Sequence, residues 1–176
     1  MFGLFKSKQT EVKVIDKVYT SLTAKTEACR NLVNNENAVL IAWFAETKEN
    51  LEVLFGSDNV FMAREIGAQH IDNQIIYFVE HYPLHLREEQ LFEKLGLKEV
   101  VVLTSLDEPF FQAFGGENIR MLMEKLGMEP GECIEHTMVS KAIRNAQDKI
   151  SKQVLVDTES HSQEQWMKRL VKMNES

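Results

Sequence analysis

Apolar residues along this chain follow two different periods. From Val12 onward, Ile15, Val18, Tyr19, Leu22 and Leu32 recur at roughly three- and four-residue intervals, which predicts one helix closing at Asn34-Asn35. The next run, Ala38-Val39-Leu40-Ile41-Ala42-Trp43-Phe44, is apolar on both alternating faces, as a strand covered by helices on each side must be. Asn59-Val60-Phe61-Met62, Gln74-Ile75-Ile76-Tyr77-Phe78-Val79 and Val100-Val101-Val102-Leu103 share that character. Between them, Thr47–Phe55, Ala63–Ile71 and Leu86–Leu95 fit helices, the last ending at Gly96, where a C′ glycine is favoured.

Alternating strand and helix predicts an α/β fold with a mainly parallel sheet of about four or five strands and helices on both faces. After Leu103 the pattern becomes helical. Ser105-Leu106-Asp107-Glu108 fits a capping box with Pro109 in a first turn. Phe110, Phe111 and Phe114 follow, then Gly115-Gly116 breaks the run. Asn118–Leu126 reads as a helix stopped by Gly127, Pro130-Gly131 as a turn, and Ile134–Ile150 as a helix with Met138, Val139, Ala142, Ile143 and Ala146 on one face. A last helix is expected from Ser162, with Gln165 as capping partner and Trp166, Leu170 and Val171 as its apolar face. The organisation expected is a short tether over 1–9, one α/β domain over 10–151, and a connector with a C-terminal helical extension over 152–176, Gln153–His161 being its weakest stretch.

Composition narrows the class. The 176 residues are 44% hydrophobic and 27% charged with a net charge of −7, which is globular. The acidic balance argues against nucleic acid as a partner, because phosphate neutralisation needs Lys and Arg. No apolar run reaches the roughly 20 residues of a transmembrane helix, and the N-terminus does not read as a signal peptide. Cys29 and Cys133, distant and in no CxxC pattern, fit reduced thiols of a cytoplasmic protein. Phe2, Leu4 and Phe5 with Lys6 and Lys8 would give at most weak, reversible contact with a membrane surface, and a fraying chain end is the simpler reading.

The search for catalytic motifs returns mostly negatives. The eight glycines form neither GxxxxGK[ST] nor GxGxxG, and GxSxG and HExxH are absent. The best local candidate for a ligand or interaction loop is Glu80-His81-Tyr82-Pro83-Leu84-His85-Leu86-Arg87-Glu88-Glu89, which directly follows a predicted strand. Ligands of open α/β sheets collect at the carboxyl ends of strands, so Glu80, His81, His85, Arg87 and Glu89 are the candidate residues. Helical spacing relates His85 to Glu89, whereas Pro83 leaves His81 outside any helix that starts there. A zinc site would need at least one more ligand from elsewhere, and ordinary solvated side chains are the simpler reading, so no metal is expected. Cys29, in a helix interior without a neighbouring base, is a weak nucleophile candidate. Met121, Met123 and Met128 could form an adaptable binding face, although core packing explains them more simply.

The stretch from Val101 to Ser151 resembles a known family. Leu103-Thr104-Ser105-Leu106-Asp107-Glu108, Phe114-Gly115-Gly116-Glu117, Lys125-Leu126-Gly127-Met128, Pro130-Gly131-Glu132, Ile134-Glu135, Val139-Ser140-Lys141-Ala142-Ile143 and Ala146-Gln147-Asp148-Lys149 are similar to the preprotein translocase motor SecA. The matching part is the end of its second RecA-like half and the helices just after it. The resemblance implies a RecA-like three-layer sandwich but does not carry the ATPase activity with it. Where the family has an arginine-rich motif, QLRGRxGRQG, this chain reads Gln90-Leu91-Phe92-Glu93-Lys94-Leu95-Gly96-Leu97-Lys98. Phe92, Lys94 and Leu97 stand at the arginine positions. Loss of a γ-phosphate-stabilising arginine removes roughly 10³–10⁵ in phosphoryl transfer. The P-loop half is also missing, so no catalytic residue and no cofactor is carried over.

These features suggest a non-catalytic SecA-like pseudo-ATPase domain that binds another protein or pairs with itself. The alternative is a nucleotide- or small-molecule-binding enzyme with its site at the strand ends near residues 80–89.

Overall fold

The computed structural model describes residues 12–174. Phe2, Leu4, Phe5 and the expected tether over 1–9 lie outside the described residues. The chain folds as a RecA-like α/β sandwich. Its sheet-forming half runs β1 (Lys13–Tyr19), α1 (Leu22–Glu36), β2 (Ala38–Ala42), α2 (Ala45–Phe55), β3 (Val60–Met62), α3 (Ala68–Ile71), β4 (Ile75–Phe78), α4 (His85–Lys94) and β5 (Glu99–Ser105). The second half runs α5 (Pro109–Ala113), α6 (Gly116–Lys125), β6 (Cys133–Ile134), α7 (Thr137–Ser151) and α8 (Gln163–Asn174). The sheet order is β3-β2-β4-β5-β1-β6. Five strands are parallel, as the alternation implied, and the two-residue β6 adds a sixth, antiparallel to β1.

Strand period explains the layers. Leu40 and Ala42 of β2 pack with Tyr77, Val79 and Leu103 against Cys29 of α1 and Leu51 of α2. Val39 and Ile41 point the other way and pack with Phe78, Val100 and Val102 against Leu91 and Phe92 of α4. A third cluster joins Val18, Phe44 and Leu106 to Phe110, Phe111, Ile143, Ile150, Trp166 and Leu170 of the later helices. Those helices therefore close over the carboxyl edge of the sheet and create the surroundings of the candidate site.

Several sequence expectations need correction. The single helix over Val12–Leu32 is a strand followed by a helix. Ile15, Val18, Tyr19 and Leu22 satisfy a helical period, but residues 13–19 pair in register with 99–105 of β5, so strand geometry wins. Ser21 then opens α1, its hydroxyl accepting from the Ala24 N–H. Ala63–Ile71 condenses to turns and the four-residue α3. The helix expected from Ile134 starts at Thr137, because Cys133 and Ile134 pair with Tyr19 and Val18. The capping box at Ser105 is half present: Glu108 accepts from the Ser105 N–H, but Glu108 itself is the N-cap of α5. Ser162 caps α8 as expected, accepting from the Gln165 N–H.

The stretch Gln153–His161 is tied down through Asp157, which accepts from Tyr82 Oη (2.7 Å), Arg87 Nε (2.7 Å) and Trp166 Nε1 (3.1 Å). Gly96 sits just past α4 with φ +67°, the left-handed conformation its C′ position requires. Gly116 is required for space: a Cβ there would lie 2.6 Å from the Phe111 carbonyl oxygen. Gly116→Ala should therefore force α5 and α6 apart and cost about 1–3 kcal/mol. At roughly 2–4 °C per kcal/mol for a chain of this size, calorimetry should show a drop of several degrees in Tm. An unchanged Tm would contradict the close approach.

Candidate functional site

β2 and β4 are neighbours, yet their outgoing connections lead to helices on opposite faces of the sheet, α2 and α4. Their carboxyl ends therefore diverge into the kind of crevice where open α/β sheets bind ligands. The segment Val79–Leu84 leaves β4 at this point, so the candidate loop read from the sequence lies at the sheet's ligand-binding edge.

The loop's own side chains fill that edge. Glu80 is buried, and its Oε1 accepts from the backbone N–H groups of Trp43 and Phe44, both at 2.9 Å. Its Oε2 accepts from Thr47 Oγ1 at 2.8 Å. Phe44 is the N-cap of α2, so an internal carboxylate occupies the N–H groups that a helix N-terminus would offer to an anion. Burial pushes the Glu80 carboxyl up to about 7, against the opposing pull of the Lys25 charge and the Phe44 N–H.

Lys25 and Glu108 stand beside it. Lys25 Nζ donates to the Val79 carbonyl and to Glu108 Oε1, each at 2.7 Å. Burial alone would lower the Lys25 pKa, but the Glu108 carboxylate outweighs it and holds the ammonium above its ordinary value. A helix lysine and a turn glutamate distant in sequence thus neutralise one another under the sheet edge, and neither is among the site candidates of the sequence. The SxxE spacing picked out Glu108 as a cap only.

On the other side of the loop, His81 is clamped between two carboxylates. Its Nδ1 lies 2.9 Å from Glu88 Oε1 and its Nε2 2.9 Å from Asp16 Oδ1. Burial would discharge the ring, yet Glu88 and Asp16 hold its pKa well above the usual histidine value, so both nitrogens donate. Glu88 also accepts from the Tyr82 N–H and from Gln147 Nε2. Asp16, although burial pushes it up, stays below the usual carboxylate range because of His81. Asp16 went unnoticed in the sequence because it fell inside a segment with helical spacing.

The remaining candidates are each held by an ion pair of their own. Arg87 reaches Asp157, Glu89 reaches Arg144, and His85 lies 3.3 Å from Asp148. His81, His85 and Glu89 border one cavity of about 470 Å³ with Asp16, Lys141 and Arg144, whereas Glu80 faces a separate one of about 300 Å³. Among the described residues, no group of three or more His, Cys, Asp or Glu is arranged to hold a metal ion. Burial pushes the Cys29 thiol up to about 11, which makes it a packing group at neutral pH. Met123 is buried, Met128 packs against the same cluster, and Met121 is exposed. Phe92 of α4 is buried in the core, and Leu97 packs half-buried against the same cluster.

The raised Glu80 pKa makes a signed prediction. A carboxyl that holds its proton more tightly when folded favours the native state at acid pH, and that contribution disappears as pH rises from the unfolded value of about 4.3 through 7. Gln accepts the same N–H bonds without ionising. Glu80→Gln should therefore gain stability relative to the natural chain on going from pH 5 to pH 8, by roughly 1–3 kcal/mol. Urea midpoints at the two pH values check this, and a stability difference between variant and parent that stays the same at pH 5 and pH 8 would contradict it.

Among the described residues, no helix is long and apolar enough to cross a membrane. No protein-family model matches the chain. It is similar to curated proteins named "Protein translocase subunit SecA". The one from Chlorobium limicola is 42% identical over 91 residues, 49% of this chain and 9% of the relative. Those from Acidithiobacillus ferrooxidans and Nitratidesulfovibrio vulgaris are 52% and 56% identical over 46 residues, 26% of this chain. The chain spans less than a tenth of the length of these relatives, 5–9%. With that identity added to the RecA-like fold, this chain is SecA-like over as much as half its length.

Proposed function

We propose that this chain is a non-catalytic, SecA-like domain that works by protein–protein contact, as a partner or regulator within a protein translocase assembly. One observation carries the reading. The crevice where a RecA-like domain would receive an anionic ligand holds the domain's own Glu80 carboxylate, bonded to the α2 N-terminal N–H groups. A phosphate would have to displace that carboxylate and approach Glu108 as well. The packing of Phe92 and Leu97 into the core points the same way, since these positions now serve stability. The relatives are named as translocase subunits, which supplies the class of partner.

Two measurements test the proposal. Purified protein should hydrolyse ATP no faster than a protein-free blank. A photocrosslinker placed at the exposed Val53 or Met138 should, in cells, recover translocase components or a second copy of the chain. ATP turnover above the blank, or crosslinks to neither, would overturn it.

The second reading, a small-molecule site near residues 80–89, is favoured by the cavity that His85, Glu89, Lys141 and Arg144 border. Calorimetry with ATP, ADP and divalent metals tests it. Absence of both heat and thermal shift at high micromolar ligand would reject it.

A further inference from the structure

A cavity of about 300 Å³ opens between α1, α2 and the β5–α5 turn. Two residues of its floor, Ser105 and Glu108, each carry a buried oxygen, Oγ and Oε2, with no hydrogen-bond partner among the described residues. Ser105 is 0% exposed and Glu108 9%. Buried polar groups are ordinarily satisfied, so two such atoms on residues that border one cavity point to a ligand that bonds them. Lys25 is already committed to Val79 and Glu108 Oε1, so its ammonium cannot serve an anion here. Carboxylates dominate the rest of the lining: Glu46, Asp107 and Glu164 join Glu80 and Glu108 against the single cation Lys25. The walls are aliphatic, with Leu51 buried and Leu22 and Leu54 exposed by 53% and 46%.

We propose that this cavity is a docking site for a lysine side chain of a protein partner, its ammonium bonding Glu108 Oε2 and Ser105 Oγ and its methylene stem lying along Leu22 and Leu54. The protein-partner part of the inference rests on the function proposed above. The acidic lining selects a cation, and the aliphatic walls suit the apolar stem of a long side chain. Lysine fits better than arginine. Glu108 Oε1 is taken by Lys25 and the Ser105 N–H, so the floor offers one carboxylate oxygen and one hydroxyl instead of the paired oxygens that a guanidinium fork matches.

The test titrates Nα-acetyl-lysine N-methylamide into the full isotope-labelled chain and follows its amide resonances. Saturable shifts should cluster at Leu22, Ser105 and Glu108. The norleucine counterpart, which lacks the ammonium, and the arginine counterpart should each bind at least tenfold more weakly. Glu108→Gln should abolish the response. Because that change also disturbs Lys25 and can unfold the protein, Leu54→Ala and Asp107→Asn at the exposed rim carry the test independently, each weakening binding at least threefold while leaving the rest of the spectrum in place. No saturable shift, or equal binding of the norleucine compound, would mean that ordered water satisfies the two floor atoms and would overturn the site. A photocrosslinker at Leu54 separates this result from the broader reading. If the lysine compound binds but Leu54, Val53 and Met138 all recover no protein, the partner reading falls and the ammonium pocket stands. If proteins crosslink at Val53 or Met138 while the lysine compound fails to bind, the pocket falls alone.

Discussion

Replacing His81 with leucine should lower stability by about 3–5 kcal/mol, a large share of the 5–15 kcal/mol that holds a typical domain together. The reason is the pair of carboxylates left behind. Asp16 on β1 and Glu88 on α4 are both buried, and each bonds a ring nitrogen of His81 at 2.9 Å. Without the imidazolium, two like charges are left inside the fold, with the Tyr82 N–H and the Gln147 amide at Glu88 and the Ser140 side chain at Asp16 as the remaining partners among the described residues. Protonating the freed carboxylates relieves the strain, so the loss should be greatest near neutral pH and should shrink below about pH 5. The natural chain should show the opposite alkaline behaviour. A histidine whose pKa is raised in the folded state contributes fully below its unfolded value of about 6.5 and loses that contribution as pH rises through the folded one. Urea denaturation of both proteins across pH 5 to 9 reads these effects. A loss under about 1 kcal/mol at pH 7 would mean that His81 is not the cation joining β1 to α4.

Lys25→Met should be comparably costly, about 3–5 kcal/mol, for a related reason. The change removes the Lys25 donor of the Val79 carbonyl and leaves Glu108 buried beside Glu80 without its ion-pair partner. Two readouts separate this from a simple packing defect. Methionine fills nearly the same volume, so Glu108→Gln in the same chain should recover part of the loss: one fewer uncompensated charge remains. The Glu80 carboxyl, which the Lys25 charge now holds down, should also titrate above its present value of about 7 when followed by carbon NMR. An unmoved Glu80 midpoint would show that the two groups do not interact.

The two clusters share a design. Each joins a group on the loop after β4 to residues from elements far away in sequence, Lys25, Thr47 and Glu108 on one side, Asp16 and Gln147 on the other, where Glu88 of the adjoining α4 completes the cluster. The loop is consequently fixed on both flanks and capped from above by Gln163, whose Nε2 donates to the His81 carbonyl. Such fixing suits the surface-presenting role proposed above.

How much of this could be read without coordinates depended on the range of the interactions. β2, β4 and β5 announced themselves through short runs apolar on both faces, because strands covered on both sides must be so. Gly96 after α4 and Ser162 before α8 were readable as caps, because capping is settled within a few residues. The loop at Glu80 and His81 was legible as a place, since it follows a strand. β1 was not legible: seven residues fit either period, and only pairing with β5, some 86 positions away, decides between them. The same distance hid the site's chemistry. Asp16, Lys25 and Glu108 look like ordinary surface charges in a linear string, and only the folded sheet edge removes them from water and sets each against its partner. Periodicity and punctuation are local physics and are written along the chain; the charge state and the company of a buried side chain are properties of the assembled interior, where low dielectric makes every neighbour count.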